Sequence, residues 1–177
     1  MHDLFFDARA RPLAGALAGL AGGLAASWAM DLFQKKVPAE AFAALLGEKA
    51  PAPQGGGSDG APATVKTAQA ISENVLDHRL TKAEKKKAGP AVHYAFGASI
   101  GSIYGLTAEY LPGTTAALGM PFGTTVWAVA DEGVVPALGL GPVPTKVPRS
   151  THLYALASHL VYGVVTEAVR RSVRAAL

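Results

Sequence analysis

Apolar residues are concentrated in four long stretches of the chain that contain no Asp, Glu, Lys or Arg. A helix needs about 20 mostly apolar residues to cross the hydrocarbon core of a bilayer. The pattern therefore predicts an all-α integral membrane protein with about four transmembrane helices. The expected spans cover approximately residues 12–33, 90–111, 116–139 and 150–171.

The composition favours a membrane protein over a soluble one. Half of the residues are hydrophobic and 16% are charged, whereas soluble domains carry about 25% charged residues. The alternative is a soluble all-α protein with buried helices rich in Ala and Gly. Four charge-free stretches would leave such a protein little polar surface. We therefore expect residues 1–177 to form a single helical membrane domain.

The segments between the expected spans have their own patterns. Residues 37–63 are predicted to be a flexible connector rich in Pro and Gly, with a short surface helix at 39–46. Apolar residues recur at helical spacing over 64–80, which predicts an amphipathic helix. This helix could lie at the membrane interface or pack over the end of the bundle. The lysine-rich segment 81–90, called here the basic collar, precedes the second span.

The distribution of basic residues predicts the orientation in the membrane. The connectors 34–89 and 140–150 hold eleven Lys and Arg, against five in the two termini and the 112–117 turn. Because basic loops stay in the cytoplasm, both termini are expected outside it. Residues 1–11 are expected to form a short polar arm with one turn of interfacial helix.

Glycines recur at a fixed spacing in the expected spans. Three spans share the pattern G-x3-G-x7-[DE], and the fourth has a degenerate version. Steps of four residues stay on one helix face, and small residues let helix backbones approach closely in lipid. Independent selection for close helix packing explains the repeated pattern better than ancestral duplication of a segment does. The expected packing residues are Gly15, Gly19, Gly23, Gly97, Gly101, Gly105, Gly119, Gly123 and Gly163.

Ionisable side chains within the expected spans are the candidate functional residues. Alternating spans would place five of them in one layer and Glu109 with Glu167 in a second, with His159 between. One interpretation is a path for protons or a small cation. The other is a set of hydrogen bonds that fixes helix register. The candidates are Asp31, His93, Glu109, Asp131, Glu132, His152, His159 and Glu167.

Asp131 and Glu132 are adjacent acids inside an apolar stretch. On an α-helix they would point about 100° apart. Asp131 is expected to face the bundle and to pair with His152 or with groups near Asp31. Glu132 is expected nearer to water. Gly and Pro residues at 133–139 leave open whether the third span is continuous or broken there.

Several kinds of chemistry have no support in the sequence. The chain has no cysteine, which excludes disulfides, thiolate catalysis and Cys-based metal sites. No catalytic or metal-binding motif with close ligand spacing is present, and the lysines have no interleaved aromatics typical of nucleic-acid binding. We therefore expect no enzyme activity, cofactor, metal site or nucleic-acid partner.

The order of segments resembles the YagU-like family of bacterial inner-membrane proteins. The resemblance rests on the N-terminal Gly/Ala stretch, "GSIYGLTAEYLPG", "VVPALGLGPVP" and "SHLVYGVVTEAVRRSVR". It implies a multi-pass protein of the bacterial inner (cytoplasmic) membrane, with a link to stress or acid tolerance and without an established reaction. The chain departs from the family pattern in its linker and in the pair at 131–132.

Three functional hypotheses follow. The first is a structural or accessory membrane protein, packed through glycine ladders and self-associating. The second is a transporter or channel for protons or small cations that uses the intramembrane Asp, Glu and His side chains. The third is a subunit of a larger membrane complex. The expected partners are the lipid bilayer and either further copies of the chain or another membrane protein.

Overall fold

The computed structural model describes residues 11–49 and 60–177. Over these two ranges the chain forms helices and loops and no strand, so the predicted all-α class is confirmed. The expected N-terminal arm falls outside the described residues apart from Arg11, as does the centre of the predicted connector, residues 50–59.

Seven α-helices follow one another along the described chain. A 3-10 segment over Pro112–Gly119 precedes α5, and a π-helical segment over Trp127–Val134 joins α5 to α6 without a break. A short 3-10 turn over Pro144–Lys146 precedes the last helix. The helices are α1 (Pro12–Lys36), α2 (Ala39–Leu45), α3 (Ala63–Leu76), α4 (Lys82–Tyr110), α5 (Met120–Val126), α6 (Val135–Ala137) and α7 (Arg149–Ala176).

The long helices form one bundle in which consecutive members run in opposite directions. α1 packs against both α4 and α7, and α5 packs against α7. The carboxyl end of α1 therefore lies beside the start of α4, where Tyr94 contacts Asp31. At the opposite end the side chain of Arg174 reaches Glu109. Asp31 and Glu109, which lie near the ends of α1 and α4, are thus brought together with groups from other helices.

Glycine allows α1 and α4 to pack backbone against backbone. A β-carbon added to Gly19 would lie 2.8 Å from the Cα of Gly105. One added to Gly101 would lie 2.5 Å from the carbonyl oxygen of Gly19 and 2.7 Å from the Cα of Gly23. Real β-carbons do not approach other atoms this closely. The predicted ladder residues of both helices therefore form their contact surface.

The second glycine contact joins α5 to α7. A β-carbon on Gly163 would lie 2.9 Å from the nitrogen and 3.0 Å from the Cα of Gly123. Gly119 has a φ of +76°, a left-handed conformation that favours glycine. It ends the irregular segment and lies immediately before α5. Gly119 and Gly123 of the third predicted span thus pack against Gly163, which belongs to the degenerate glycine pattern of the fourth span.

Two helix boundaries differ from those predicted. α4 begins at Lys82, so most of the basic collar is helical, and the chain continues through Pro90 as one helix. The side chain of Thr81 accepts from the backbone of Glu84, and the Glu84 side chain accepts from the backbone of Thr81. This capping box starts the helix early. α3 ends at Leu76 because Asp77 adopts a left-handed conformation.

The last two helices also depart from expectation. The third predicted span starts at Met120 rather than near 116. It has no break at Asp131 and Glu132, because a π-helical segment carries the chain through both residues. α7 begins at Arg149. Its N-cap is Pro148, and the buried Ser150 hydroxyl donates to the Lys49 carbonyl at 2.6 Å.

Only α1, among the described helices, is long and apolar enough to cross a membrane by length and composition. The predicted four-span topology is therefore not confirmed. α4 and α7 contain tyrosine, serine and histidine residues that lower their mean hydropathy, and the third segment is divided into short helical pieces. One such helix is a weak indication of membrane association.

Replacing Gly101 by Leu should destabilise the bundle far more than replacing Gly113 by Leu. A leucine side chain at position 101 would collide with the α1 backbone, whereas a β-carbon at Gly113 meets nothing within 4 Å. Overpacking of this kind costs about 1–3 kcal/mol or more. Thermal unfolding in detergent measures the difference. Equal melting of the two variants would show that the glycines are not a packing face.

Candidate functional site

The candidate residues lie in two polar layers at opposite ends of the bundle. The first layer combines the ends of α1 and the π-helical segment with the starts of α4 and α7. It contains three carboxylate–imidazole pairs. They are Asp31 with His93, Glu132 with His152, and Asp131 with His159.

The first pair joins α1 to α4. His93 Nε2 lies 3.5 Å from Asp31 Oδ1 and 3.5 Å from the carbonyl oxygen of Ser27. Tyr94 donates its hydroxyl proton to Asp31 Oδ2 at 3.0 Å. Because both groups near Nε2 are acceptors, this nitrogen must carry a proton to favour the contact. Asp31 is therefore held by two donors from adjacent positions on α4.

Glu132 and His152 form the shortest of the three pairs. His152 Nδ1 lies 2.7 Å from Glu132 Oε1, and Nε2 lies 3.1 Å from the carbonyl oxygen of Pro144. The carbonyl can only accept, so Nε2 carries a proton. A hydrogen bond between Nδ1 and the carboxyl oxygen would then need one further proton on one of these two atoms. The geometry can hold one titratable proton at a defined place.

His159 and Asp131 are less closely paired. His159 Nδ1 donates to the carbonyl oxygen of Ala155 at 2.9 Å and lies 3.6 Å from Asp131 Oδ2. His159 is buried, whereas the Asp131 side chain is 38% exposed. The contact is electrostatic attraction rather than a hydrogen bond, because 3.6 Å is too long for one.

The π-helical segment explains why both adjacent acids face α7. Its wider turns rotate the chain less per residue than the α-helix, for which the offset is about 100°. The expected pairing of Asp131 with His152 is wrong, and so is the expectation that Glu132 lies nearer to water. Glu132 pairs with His152, and its side chain is 24% exposed, less than that of Asp131. The sequence-based expectation assumed α-helical geometry throughout.

Glu167 is the centre of the second layer. It is completely buried and accepts from Tyr104 Oη at 2.8 Å and from Arg170 Nε at 2.6 Å. Arg171, which lies four residues after Glu167 on α7, donates to the other carboxylate oxygen of Glu167. The guanidinium of Arg170 also lies 5.9 Å from the ring centre of Tyr104. A buried carboxylate with three donors is fully satisfied.

Glu109 has a similar arrangement at the edge of this layer. Arg174 donates to both of its oxygens, at 2.6 and 3.0 Å. The backbone nitrogen of Arg11 donates to Oε2 at 2.9 Å. These bonds tie the start of α1 to the ends of α4 and α7. The second layer is thus a set of fixed carboxylate–arginine pairs, unlike the first.

Aromatic rings and glycine backbone separate the two layers. Tyr104 and Phe122 stack with ring centres 4.1 Å apart, and Phe122 also contacts Tyr162. Tyr162 donates to the Gly97 carbonyl at 2.6 Å. Its ring packs with Ala26 and Met30 in the buried apolar cluster. The bundle is closely packed between its polar ends.

Sequence reasoning missed the residues that complete these layers. Tyr94, Tyr104 and the arginines at the end of α7 were not among the predicted candidates. The spacing of Glu167 to Arg170 and Arg171, i to i+3 and i+4, is a readable signal for ion pairs on one helix face. The pairs between helices have no local signal.

The described residues contain no group of three or more His, Asp and Glu side chains placed to hold a metal ion. Each acid of the first layer instead faces a histidine. What the arrangement can do chemically is to hold, accept and release protons, since carboxylate and imidazole are both titratable.

Comparison with known proteins gives one match. A family model described as a protein of unknown function (DUF1440) matches residues 62–168. No curated protein and no solved structure matches the chain. The matched region begins just before α3 and ends in α7, so it contains the first-layer histidines and both acids of the π-helical segment.

Replacing Glu167 by Gln should lower the free energy of unfolding by about 3 kcal/mol or more, because it leaves two arginines without their buried partner. The control is Glu73→Gln, which removes the exposed contact of Glu73 with Arg79 at 3.8 Å. That change should cost about 0.5 kcal/mol or less. Denaturant titrations of both variants measure the difference. A Glu167→Gln protein as stable as the control would contradict the assignment.

Proposed function

Since the chain belongs to the DUF1440 family, whose function is unknown, we propose a role from its structure. The protein is a small multi-pass protein of the bacterial inner membrane, with a structural or accessory role, and its polar pairs fix the register of the helices. The proposed role is not catalytic. The link to stress tolerance that the YagU-like resemblance implies belongs to this proposal.

One observation carries the proposal, namely the inverted distribution of side chains. The largest completely buried side chains of the described chain are polar: Glu167, Thr166, Ser27, Ser150 and Ser158. Large apolar side chains, in contrast, are exposed on every long helix. Water-soluble proteins bury their large apolar residues and rarely expose continuous apolar surface. Lipid is the solvent that favours this arrangement.

The outer face of α1 shows the inversion most clearly. Its inner face consists of Gly, Ala and Ser residues together with Met30, in contact with α4 and α7. Its outer face is a continuous apolar stripe in which Leu13 is 79% and Trp28 is 61% exposed. Burying small residues and exposing large ones is how helices pack in membranes. The stripe residues are Leu13, Leu17, Leu20, Leu24, Trp28 and Leu32.

The same reasoning extends the proposal to the other helices and to further copies. α4 exposes Phe96 and Ile103, and the π-helical segment exposes Val129. These side chains would contact lipid or a second copy of the chain, so self-association remains part of the proposal. The excess of basic residues in the connectors supports an orientation with both termini outside the cytoplasm.

Single cysteines test the membrane placement, because the chain has none of its own. A fluorophore on Leu20→Cys, halfway along the apolar stripe, should be quenched by lipids brominated in their acyl chains. The matched control is Glu73→Cys on the exposed face of α3, which should not be quenched. An unquenched label at position 20 in reconstituted protein would overturn the proposal.

The three carboxylate–imidazole pairs favour a second candidate, a transporter or channel for protons or small cations. His152 Nδ1 lies 2.7 Å from Glu132 Oε1, and the pairs Asp31–His93 and Asp131–His159 lie in the same layer. Intramembrane ionisable residues commonly mark ion pathways. The close packing between the two layers is why this function stands second.

The second candidate predicts proton flux into proteoliposomes with an imposed pH gradient. Glu132→Gln removes the carboxyl group that faces His152 and should lower this flux at least about tenfold, as expected for loss of a group in proton transfer. Glu73→Gln should leave it unchanged. Flux equal to that of empty liposomes for the unmodified protein would reject the transport hypothesis.

A further inference from the structure

We propose that two copies of the chain associate through residues 40–48 of one copy, called here the acidic segment, and the lysines of the basic collar of the other. This inference rests on the proposed membrane placement and gives the proposed self-association a defined surface. Each copy has both parts, so a two-fold dimer makes the contact twice. The residues are Glu40, Leu45 and Glu48 with Lys82, Lys86 and Lys87.

The two parts lie on different helices of one copy. α2, which forms most of the acidic segment, packs on α7, and the loop after it is fixed there by the bond from the Ser150 hydroxyl to the Lys49 carbonyl. The collar instead begins α4 and adjoins α3. Over the described ranges neither Glu40 nor Glu48 forms an ion pair, and the three exposed lysines form none either. Both parts can therefore contact another molecule.

Equal depth in the bilayer is the first argument for a second copy. Copies in one membrane share their orientation and depth, so a lateral contact joins groups at the same level. Asp131 interacts electrostatically with both His93 of α4 and His159 of α7, which places the two histidines at about one level. Both helices extend from this level toward their N-termini in the same direction, at about 1.5 Å per residue.

Counting from His93 gives the level of the lysines. Lys87 lies six residues before His93, Lys86 seven and Lys82 eleven. At 1.5 Å per residue they lie about 9, 11 and 17 Å beyond the histidine. The lysines thus cover a range of about 8 Å along the bundle axis.

Counting from His159 gives the level of the acids. Tyr154, which interacts electrostatically with Glu40, lies five residues before His159, or about 8 Å. Ser150, which holds the residue after Glu48, lies nine residues before it, or about 14 Å. The acids and the lysines therefore occupy the same range of depth.

Charge complementarity is the second argument. The acidic segment has two carboxylates and no Lys or Arg. The collar has four lysines, and its one acid, Glu84, is occupied by Thr81 and by His78, whose Nε2 lies 3.2 Å away. Hydrogen bonds from Thr81, and then from His78, lower the pKa of Glu84 to about 2. The collar therefore keeps a net positive charge that matches the negative charge of the acidic segment.

The apolar part of the acidic segment is the third argument. Leu45 is 82% exposed and lies between the two acids along the chain. The aliphatic stems of lysine side chains cover apolar surface while their ammonium groups reach carboxylates. The collar of a second copy supplies both. An anionic bilayer surface would attract the lysines but repel Glu40 and Glu48, so it complements only half of this arrangement.

Disulfide formation between single cysteines tests the contact directly. Glu48→Cys and Lys86→Cys are placed on separate chains with different tags and expressed together. Because the chain has no cysteine of its own, any disulfide between the two tags joins two copies. Oxidation in the membrane should produce this mixed dimer, and about 0.5 M salt should reduce the yield. The matched control uses Lys146→Cys, an exposed lysine of the loop before α7, in place of Lys86→Cys and should give little product.

Charge reversal identifies the groups responsible. Lys86→Glu with Lys87→Glu should weaken dimerisation at least about tenfold, because like charges then face each other across the interface. Adding Glu40→Lys and Glu48→Lys to the same chain restores opposite charges and should restore most of the dimer. Energy transfer between labelled copies in liposomes measures the dimer fraction.

The control for charge reversal is Lys146→Glu with Arg149→Glu, which changes the net charge equally and should keep the dimer. Circular dichroism checks that every variant folds. If the two acid-to-lysine changes do not rescue the Lys86→Glu, Lys87→Glu protein, the acids are not the partners of the lysines and the inference is wrong.

The outcomes separate this inference from the proposed function. If copies associate but neither the cross-link nor the charge reversal behaves as expected, self-association uses another face and this surface is wrong. If the copies do not associate while a label on Leu20→Cys is quenched, the inference fails and the membrane placement stands. If the Leu20 label is not quenched, the membrane placement fails, and the argument from equal depth fails with it.

Discussion

Direct contact between the backbones of α1 and α4 is the constraint on which the rest of the bundle depends. Gly19, Gly23 and Gly101 leave no side chain between the two helices. Close approach of this kind is favourable where dispersion and packing, rather than the hydrophobic effect, hold helices together. It also dictates where the large side chains go. With glycine on the inner face of α1, its leucines and Trp28 have only the outer face available.

The close contact fixes the position of the polar groups as well. Once α1 and α4 are locked in antiparallel register, Asp31 lies beside His93 and Tyr94 without any freedom to slide. The same holds at the other end, where Glu109 meets Arg174. The cost of removing an ionised group from water is several kcal/mol unless it is paired. The pairs therefore stabilise only the register that the glycines define, and packing and electrostatics select the same structure.

Sequence patterns predicted the features that depend on local spacing. Steps of four residues identified the glycine faces, and Pro112 marked the end of α4. The early start of α4 was missed although Thr81 and Glu84 have the spacing of a capping box, because the second span was placed by its apolar residues alone. The partners of Asp131 and Glu132 could not be predicted. They depend on a π-helical segment, and no pattern in the sequence indicates one.

The contrast between the two polar layers bears on function. In the second layer each carboxylate faces arginines, which do not give up protons at any physiological pH. In the first layer each carboxylate faces a histidine, which does. A proton released at Glu132 would still have to pass Tyr162, whose hydroxyl donates to the Gly97 carbonyl within the packed centre. The first layer can therefore change its protonation without a continuous path across the bundle. This combination fits the proposed structural role better than it fits an open channel.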